Sequence, residues 1–452
     1  MKRAIASASL LALGAASAAA QLITADKPWS IAGSLRGFYD DNINTAPEGP
    51  GRVDSFGFEV SPSGAVNFNS GPTTFKGSYV YDNRYYFQRR NTDQSHDVEL
   101  DLNHNFSARY STELTESFII AQEPEVLSGN GPVTTPLRSN GNNLHNAISL
   151  NFQAQLTRLF GLVFTYNNNI YSFDENHGNT VSPGQPSRSA LLDFVQHTFA
   201  IDSTWALTQT TRGIFGYKFS ALYNTSSESV ENDGGFIAGP PPVNSPSYPY
   251  GGPFYVPADS RNNYSDYVYV GLDHTFNPYL SGNVRVGFIY EDDYQAGNQT
   301  LAGVFVRNPQ TSVLPYASLG LTYAYADSGS LTFGFQHDIN QTDQAASSND
   351  PGAGVTQNEE SSTVYLTASQ KLTPLTPKLT ASGSLQFQNS TFNGGPSNDE
   401  TDNFYMLGLD LAYQFDPHLS AETGYNFDLL SSDIAGRGYS RNQFFVGVKA
   451  TY

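Results

Sequence analysis

From Trp29 to the C-terminus, apolar and polar residues alternate with a period of two, in segments of 10 to 17 residues. Successive side chains of an extended strand point to opposite faces, whereas a helix spaces its apolar residues three and four apart. Val98, Leu100, Leu102 and Phe106 alternate with Asp97, Glu99, Asp101 and Asn105. Leu280, Gly282, Val284, Val286, Phe288 and Tyr290 alternate with Ser281, Asn283, Arg285 and Glu291. Leu419, Ala421, Tyr425, Phe427 and Leu429 stand against Ser420, Glu422, Asn426 and Asp428. Each segment has one apolar face and one face of amides, hydroxyls and charges. An antiparallel sandwich in water gives a similar alternation. Strands this long and this numerous fit a transmembrane barrel better, with the apolar face on lipid and the polar face on a lumen.

The connections give a strand count. Short turns fall near Gly71-Pro72, Arg109-Tyr110-Ser111, Thr157-Arg158, Thr208-Gln209, Asn277-Pro278, Asp327-Ser328-Gly329, Thr373-Pro374 and Asp416-Pro417. Longer Gly-, Pro-, Asn- and Ser-rich segments fall at 40–53, 89–96, 122–141, 173–188, 225–261, 292–311, 341–360, 391–401 and 431–439. Eight turns and nine loops alternate strictly, which makes 18 strands, with 16 allowed by ragged boundaries among the early ones. Short periplasmic turns and long extracellular loops are the asymmetry of outer-membrane barrels. The expected fold is therefore all-β, an antiparallel up-and-down transmembrane barrel.

Composition narrows the function. The chain has no cysteine, which removes disulfides, thiolate metal sites and thiol nucleophiles. A net charge of −19 argues against nucleic-acid binding, which uses a basic face. Met1-Lys2-Arg3, an apolar stretch from Ala4 to Ala15 and the small residues Ala18-Ala19-Ala20 read as a cleaved export signal over 1–20. The barrel is then one domain over 21–452, placed in the outer membrane of a diderm bacterium.

Aromatics mark the strand ends. Tyr39, Tyr85, Phe87, Tyr171 and Phe173 lie toward the long loops, and Phe160, Phe276, Tyr279 and Phe415 toward the short turns. Girdles at both interfaces are expected of such barrels. In the last segment, Phe444, Val446, Val448, Ala450 and Tyr452 alternate and end on an aromatic. This resembles the C-terminal β-signal by which outer-membrane barrels are recognised for assembly, and implies the barrel-assembly machinery as a partner during biogenesis.

With the polar faces turned inward, the lumen gathers seven bases: Arg36, Lys76, Arg84, Lys218, Arg285, Lys378 and Lys449. Against them stand eleven acids: Glu59, Asp82, Asp97, Glu99, Asp101, Asp202, Asp273, Asp338, Asp410, Glu422 and Asp428. The acidic excess favours cations, because charge rings set selectivity in pores. The bland account of the same residues is a solvated wall. Loop 225–260 carries Glu228, Glu231 and Asp233 and seven prolines among aromatics, so it is either a constriction or an extracellular flap. Glu291-Asp292-Asp293 and Glu359-Glu360 read as solvated loop charge, without the spacing of a calcium loop.

No catalytic motif is present: H-E-x-x-H, G-x-S-x-G and the phosphate-binding G-x-x-x-x-G-K are all missing. His197 and His274 fall on the apolar faces and His104 near one. Asp338 and His337 are adjacent and so point to opposite sides of their strand. Neither an enzyme nor a cofactor is expected.

The first segment, Ser34-Leu35-Arg36-Gly37-Phe38-Tyr39-Asp40-Asp41-Asn42-Ile43-Asn44, resembles the opening of the putative β-barrel porin 2 family. The Asn277-Pro278-Tyr279-Leu280-Ser281 and Asp416-Pro417-His418-Leu419-Ser420 hairpins are similar to that family as well. Asp40, Asp41 and Asn42 carry over as a signature, although Asp and Asn also serve simply to turn a chain. The resemblance, taken over nearly the whole mature chain, implies an outer-membrane barrel, with some relatives linked to exopolysaccharide biosynthesis or export. The expected function is a porin-like channel for passive diffusion of small polar solutes or saccharides, mildly cation-preferring and embedded in outer-membrane lipid. The alternatives are a surface-display or adhesion barrel with a plugged lumen, or an accessory barrel for exopolysaccharide export.

Overall fold

The computed structural model describes residues 28–121, 142–176, 186–232, 256–299, 304–326, 329–347 and 354–452. The export-signal reading of 1–20 lies outside these residues, as does the central part of loop 225–260.

Eighteen strands form one sheet. In the first half they are β1 (Trp29–Asp40), β2 (Ser55–Ser70), β3 (Thr73–Tyr86), β4 (Asn91–Asn105), β5 (Tyr110–Ala121), β6 (Asn143–Gln155), β7 (Phe160–Phe173), β8 (Phe194–Ala206) and β9 (Thr211–Asn224). In the second they are β10 (Asn263–Asn277), β11 (Leu280–Asp293), β12 (Gln310–Ala326), β13 (Gly329–Gln341), β14 (Asn358–Lys371), β15 (Leu379–Asn393), β16 (Thr401–Asp416), β17 (Leu419–Ser432) and β18 (Tyr439–Thr451). Each strand pairs antiparallel with its chain neighbours, and β1 also pairs with β18, so the sheet has no free edge. Closure leaves the sheet without an open edge, which lipid requires of a spanning sheet.

Seven of the eight short turns fall where the sequence places them, and their chemistry explains why; of the eighth, Asp327 and Ser328 lie outside the described residues. Asn277 Oδ1 accepts from the amides of Tyr279 (2.8 Å) and Leu280 (3.0 Å). Asp416 Oδ1 does the same for His418 (2.7 Å) and Leu419 (3.1 Å). Side-chain acceptors at the start of a turn replace ladder partners that the reversing backbone has lost. Of the nine longer connections, the second differs from expectation. Segment 89–96 is not a loop: β3 and β4 are joined by 87–90 alone, and Asn91–His96 pairs with Tyr81–Tyr86. Its polar composition hid a strand because both faces leave the apolar band there.

One face of the sheet carries large exposed apolar side chains, among them Phe56, Phe215, Phe288 and Val446. The other is concave, since contacts on it skip strands: Tyr269 of β10 reaches Asp202 of β8, and Tyr267 of β10 reaches Asp338 of β13. Gly216 on the intervening β9 makes the first of these possible, because a Cβ there would lie 2.2 Å from Asp202 Oδ1. Phe276, Tyr279 and Phe415 stand exposed at the short-turn end. Tyr171 and Phe173 depart from the girdle expectation. They share the inner face with Asn167 and Asn169; Tyr171 stacks on His145 at 4.0 Å between ring centroids, and Phe173 is buried.

The wall has one irregular seam. β12 and β13 pair only from Ala317↔His337 toward the short turn. Above that point Gln310–Tyr316 pairs with β11, and Asp338–Gln341 pairs with β14. Pro315 has no amide to offer, and prolines sit where a ladder is absent. The Ile339 amide instead donates to Asp338 Oδ1 at 2.9 Å. The outer end of β13 thereby leans across the inner face of β10–β12. Ile339 packs against the cluster that Ile214, Tyr267, Tyr269 and Ile289 form, and the Gln341 amide reaches Asn224 on β9 at 3.0 Å.

Candidate solute path

The inner face is built from the polar half of each strand's alternation. On the wall formed by β17, β18, β1, β2 and β3, two guanidiniums and two carboxylates alternate. Arg36 reaches Glu422 at 2.5 Å and Glu59 at 3.1 Å, and Arg84 reaches Glu59 at 2.6 Å. Arg36 also lies over the Phe445 ring, 4.9 Å from its centroid. Asp410, Asp428 and Lys449 share this face, Lys449 being buried.

Across the barrel, tyrosines join the charges. Lys218 Nζ sits 3.4 Å over the Tyr267 ring and 5.2 Å from that of Tyr316, with Asp338 Oδ2 at 3.6 Å. Tyr267 donates to Asp338 at 2.9 Å and Tyr269 to Asp202 at 2.6 Å, while Arg285 pairs with Asp273 at 2.8 Å. The tyrosines were not legible from alternation, because Tyr267-Val268-Tyr269-Val270 is apolar on both faces.

Between these walls runs an acidic row. Asp97, Glu99 and Asp101 stand on the same side of β4, with Asp82 on β3 (opposite Ser95) and Glu113 on β5 (opposite Asn103) diagonal to the two ends of the row. Lys76 lies opposite Asp101 in the β3–β4 ladder. Among the described residues, none of Asp97, Glu99 and Asp101 makes an ion pair within 4.0 Å, whereas Arg36, Arg84, Lys218 and Arg285 each do. Lys378 is elsewhere. It belongs to the turn between β14 and β15, exposed, with its Nζ on the Phe415 carbonyl at 2.6 Å. The alternation before Leu379 misplaced it, because polar turn residues continue a period-two pattern by chance.

Over the outer mouth, connecting segments from one side pack on each other. Helix α1 (Arg188–Leu192) starts at Ser187, whose Oγ accepts from the Ala190 amide at 3.1 Å. Ala190, Val230, Val256, Ala258, Ala346 and Val355 form a small apolar core beneath it. Glu231–Asn232 pairs with Ala346–Ser347, tying the segment after β9 to the one after β13. Arg261 is wholly buried and donates to the carbonyls of Thr342 (2.8 Å), Gln344 (3.1 Å) and Leu191. Burial pulls its pKa down to about 10, with the Asp343 carboxylate opposing it only in part. Arg437 binds Asp343 (2.9 Å) and Asp402 (2.7 Å), and these carboxylates outweigh the burial that would lower its pKa, so it is raised. The described ends of loop 225–260 thus belong to a packed cap. Glu291 and Glu359 are corrected too: both are strand residues and buried, Glu291 accepting from Asn358 at 2.7 Å.

The signature residues sit at the barrel's closure. Asp40 accepts from Arg441 Nε at 3.0 Å and from Gln443 at 3.0 Å, and is fully buried. Asp41 takes Arg52 (2.6 Å) and the Asn442 amide (2.7 Å), and Asn42 donates to the Ser440 carbonyl (2.9 Å). The last residue of β1 and the two that follow it grip four consecutive residues of β18, Ser440 to Gln443. Among the described residues no group of three or more His, Asp or Glu is placed to hold a metal ion.

Among curated proteins none matches this chain. Its fold is similar to that of several solved structures, all at low identity. These include Acinetobacter baumannii OccAB4 (11% identity, 94% of this chain and 99% of that one, TM-score 0.41) and Pseudomonas aeruginosa OpdL (12%, 95% and 99%, 0.40). A third is the FrpB iron transporter from Neisseria meningitidis, F5-1 variant (10%, 96% and 84%, 0.44). The sequence match is regional: the Ser34–Asn44 stretch lies outside it and both Asx-Pro hairpins lie within. Residues 261–452, the stretch that holds β10 to β18, match the family described as putative beta-barrel porin 2, and the chain is an outer-membrane, porin-like β-barrel.

Proposed function

We propose that the barrel is a passive channel for small polar solutes or saccharides with a mild preference for cations. The observation that carries this is the acidic row Asp97, Glu99 and Asp101. Of the inner-face bases, Arg36, Arg84, Lys218 and Arg285 are paired with neighbouring carboxylates, and Lys76 alone stands against the row, opposite Asp101, which leaves the row's field acidic. A low-dielectric wall focuses such a field on passing ions. Solute moves without chemistry, and the cap sets the width of the outer entrance. On this reading, residues 1–20 direct export and are removed, the 21–452 barrel sits in outer-membrane lipid, and the alternating Phe444 to Tyr452 face is what the assembly machinery recognises.

The test is conductance in planar bilayers across a KCl gradient. Wild type should give a reversal potential on the cation side, and a D97N/E99Q/D101N variant should move it to zero or beyond. Folded protein that passes no current would overturn the channel reading. It would leave the second reading, a sealed barrel displaying its loops, which the apolar core of the cap favours.

A further inference from the structure

The inner face of an 18-stranded barrel should be wet, because a barrel that wide encloses water rather than packed side chains. In the outer half of this one, much of it is dry. Ser265, Tyr267, Ile289 and Glu291 on β10 and β11 are buried. So are Ser361 and Thr363, which stand in register with Asp338 and Gln336 across the β13–β14 ladder. The outer end of β13 lies across β10 and β11 and brings the start of β14 with it. Asp338 accepts from Tyr267 and pairs with Lys218, the Gln341 and Asn224 side-chain amides meet at 3.0 Å, and Asn358 donates to Glu291 at 2.7 Å. Apart from Ile339 on its apolar cluster, these are polar contacts that water can replace.

The place that this strand has left can take it back. The Ala324 amide donates to the Tyr279 carbonyl at 2.8 Å, so even-numbered residues of β12 bond to β11 and odd-numbered ones turn toward β13. Beyond Ala317 the odd positions are Pro315, Val313 and Thr311, and among the described residues no strand pairs with that side of them. Continuing the register sets Ile339 opposite Pro315 and Gln341 opposite Val313. Val313 and Gln341 would exchange both backbone hydrogen bonds, and the Ile339 amide would gain the Pro315 carbonyl. Proline offers no amide in return, which keeps the longer ladder from winning outright. One strand thus has two seats, each held by a few hydrogen bonds.

Taking the barrel as the channel proposed above, we propose that the outer half of β13 is its gate. It is closed where the strand lies across β10 and β11, and open where the strand zips onto β12 and rejoins the wall.

The chain has no cysteine, so engineered pairs report the strand's position directly. In full-length barrels in lipid vesicles, a short bis-methanethiosulfonate reagent should link V313C/Q341C, which requires the wall-paired strand. It should link N224C/Q341C in the inward one. In planar bilayers wild type should step between a lower and an upper conductance level. The V313C/Q341C link should hold the upper level and the N224C/Q341C link the lower, and reduction should release both. D338A removes the contacts to Tyr267 and Lys218 and should raise the time spent at the upper level about tenfold. Conducting barrels in which V313C/Q341C never links would overturn the gate and leave the channel reading standing. Links that form and leave conductance unchanged would overturn the gate as well. Barrels in which both pairs link and no current ever flows would overturn the channel reading, and the gate with it, while showing that the strand moves.

Discussion

At the scale of single residues, the strongest interactions lie where the barrel closes. Asp40 and Arg441 are both buried and bind each other across the first and last strands. Removing one partner of a buried pair leaves an unpaired charge and costs about 3–5 kcal/mol. D40A should therefore lower the unfolding free energy of the barrel by that amount, whereas R52A at the more exposed edge of the same clasp should cost under about 1 kcal/mol. Denaturant titration of refolded protein in detergent checks both. The Asp-Asp-Asn stretch was visible in the sequence as a signature, but its role was not. Its partners Arg441, Asn442 and Gln443 lie about 400 positions away, and no local pattern links them.

At the scale of elements, two segments can be tested. The Asp193 carboxyl ends α1, accepting from the Phe173 amide at 2.7 Å and from Ser189 Oγ at 2.6 Å. Burial, opposed by these hydrogen bonds and aided by Glu228 and Asp174, raises its pKa from 3.8 to about 6. A carboxyl raised on folding binds more protons folded than unfolded. The stability it contributes is thus present below about pH 4 and is lost as pH rises through about 6. The cap should be tighter at pH 5 than at pH 7, seen as slower proteolysis of the 186–193 segment, and D193N should flatten the difference. The second segment is the seam. P315V restores an amide donor opposite Ile339, which should extend the ladder and slow exchange of nearby amides about tenfold, the worth of roughly one hydrogen bond. Unchanged exchange would mean that proline is not what parts the strands.

At the scale of the whole molecule, the channel proposed above would have cap and wall together decide what passes. Arg261 ties its own segment to two others through three carbonyls, so R261A should unseat the cap and raise single-channel conductance without moving the reversal potential. Recordings in symmetric and asymmetric KCl separate those two effects. The number of strands, their order and the lipid-facing stripe were legible because each depends on local rules. Period-two alternation fixes the faces, and Asx-Pro or hydroxyl-bearing turns fix the reversals. The inward lean of β13 was not legible, since Pro315 reads as an ordinary strand residue until its missing partner is seen. Nor was the burial of Glu291 and Glu359, whose acidic runs look like solvent-exposed loop. The sequence by itself determined a closed antiparallel barrel with a polar interior, because a spanning strand must declare its two faces residue by residue. Only the tertiary structure decided which inner charges cancel, which segments cap the mouth and what the signature residues hold, because each depends on groups brought together by closure from distant parts of the chain.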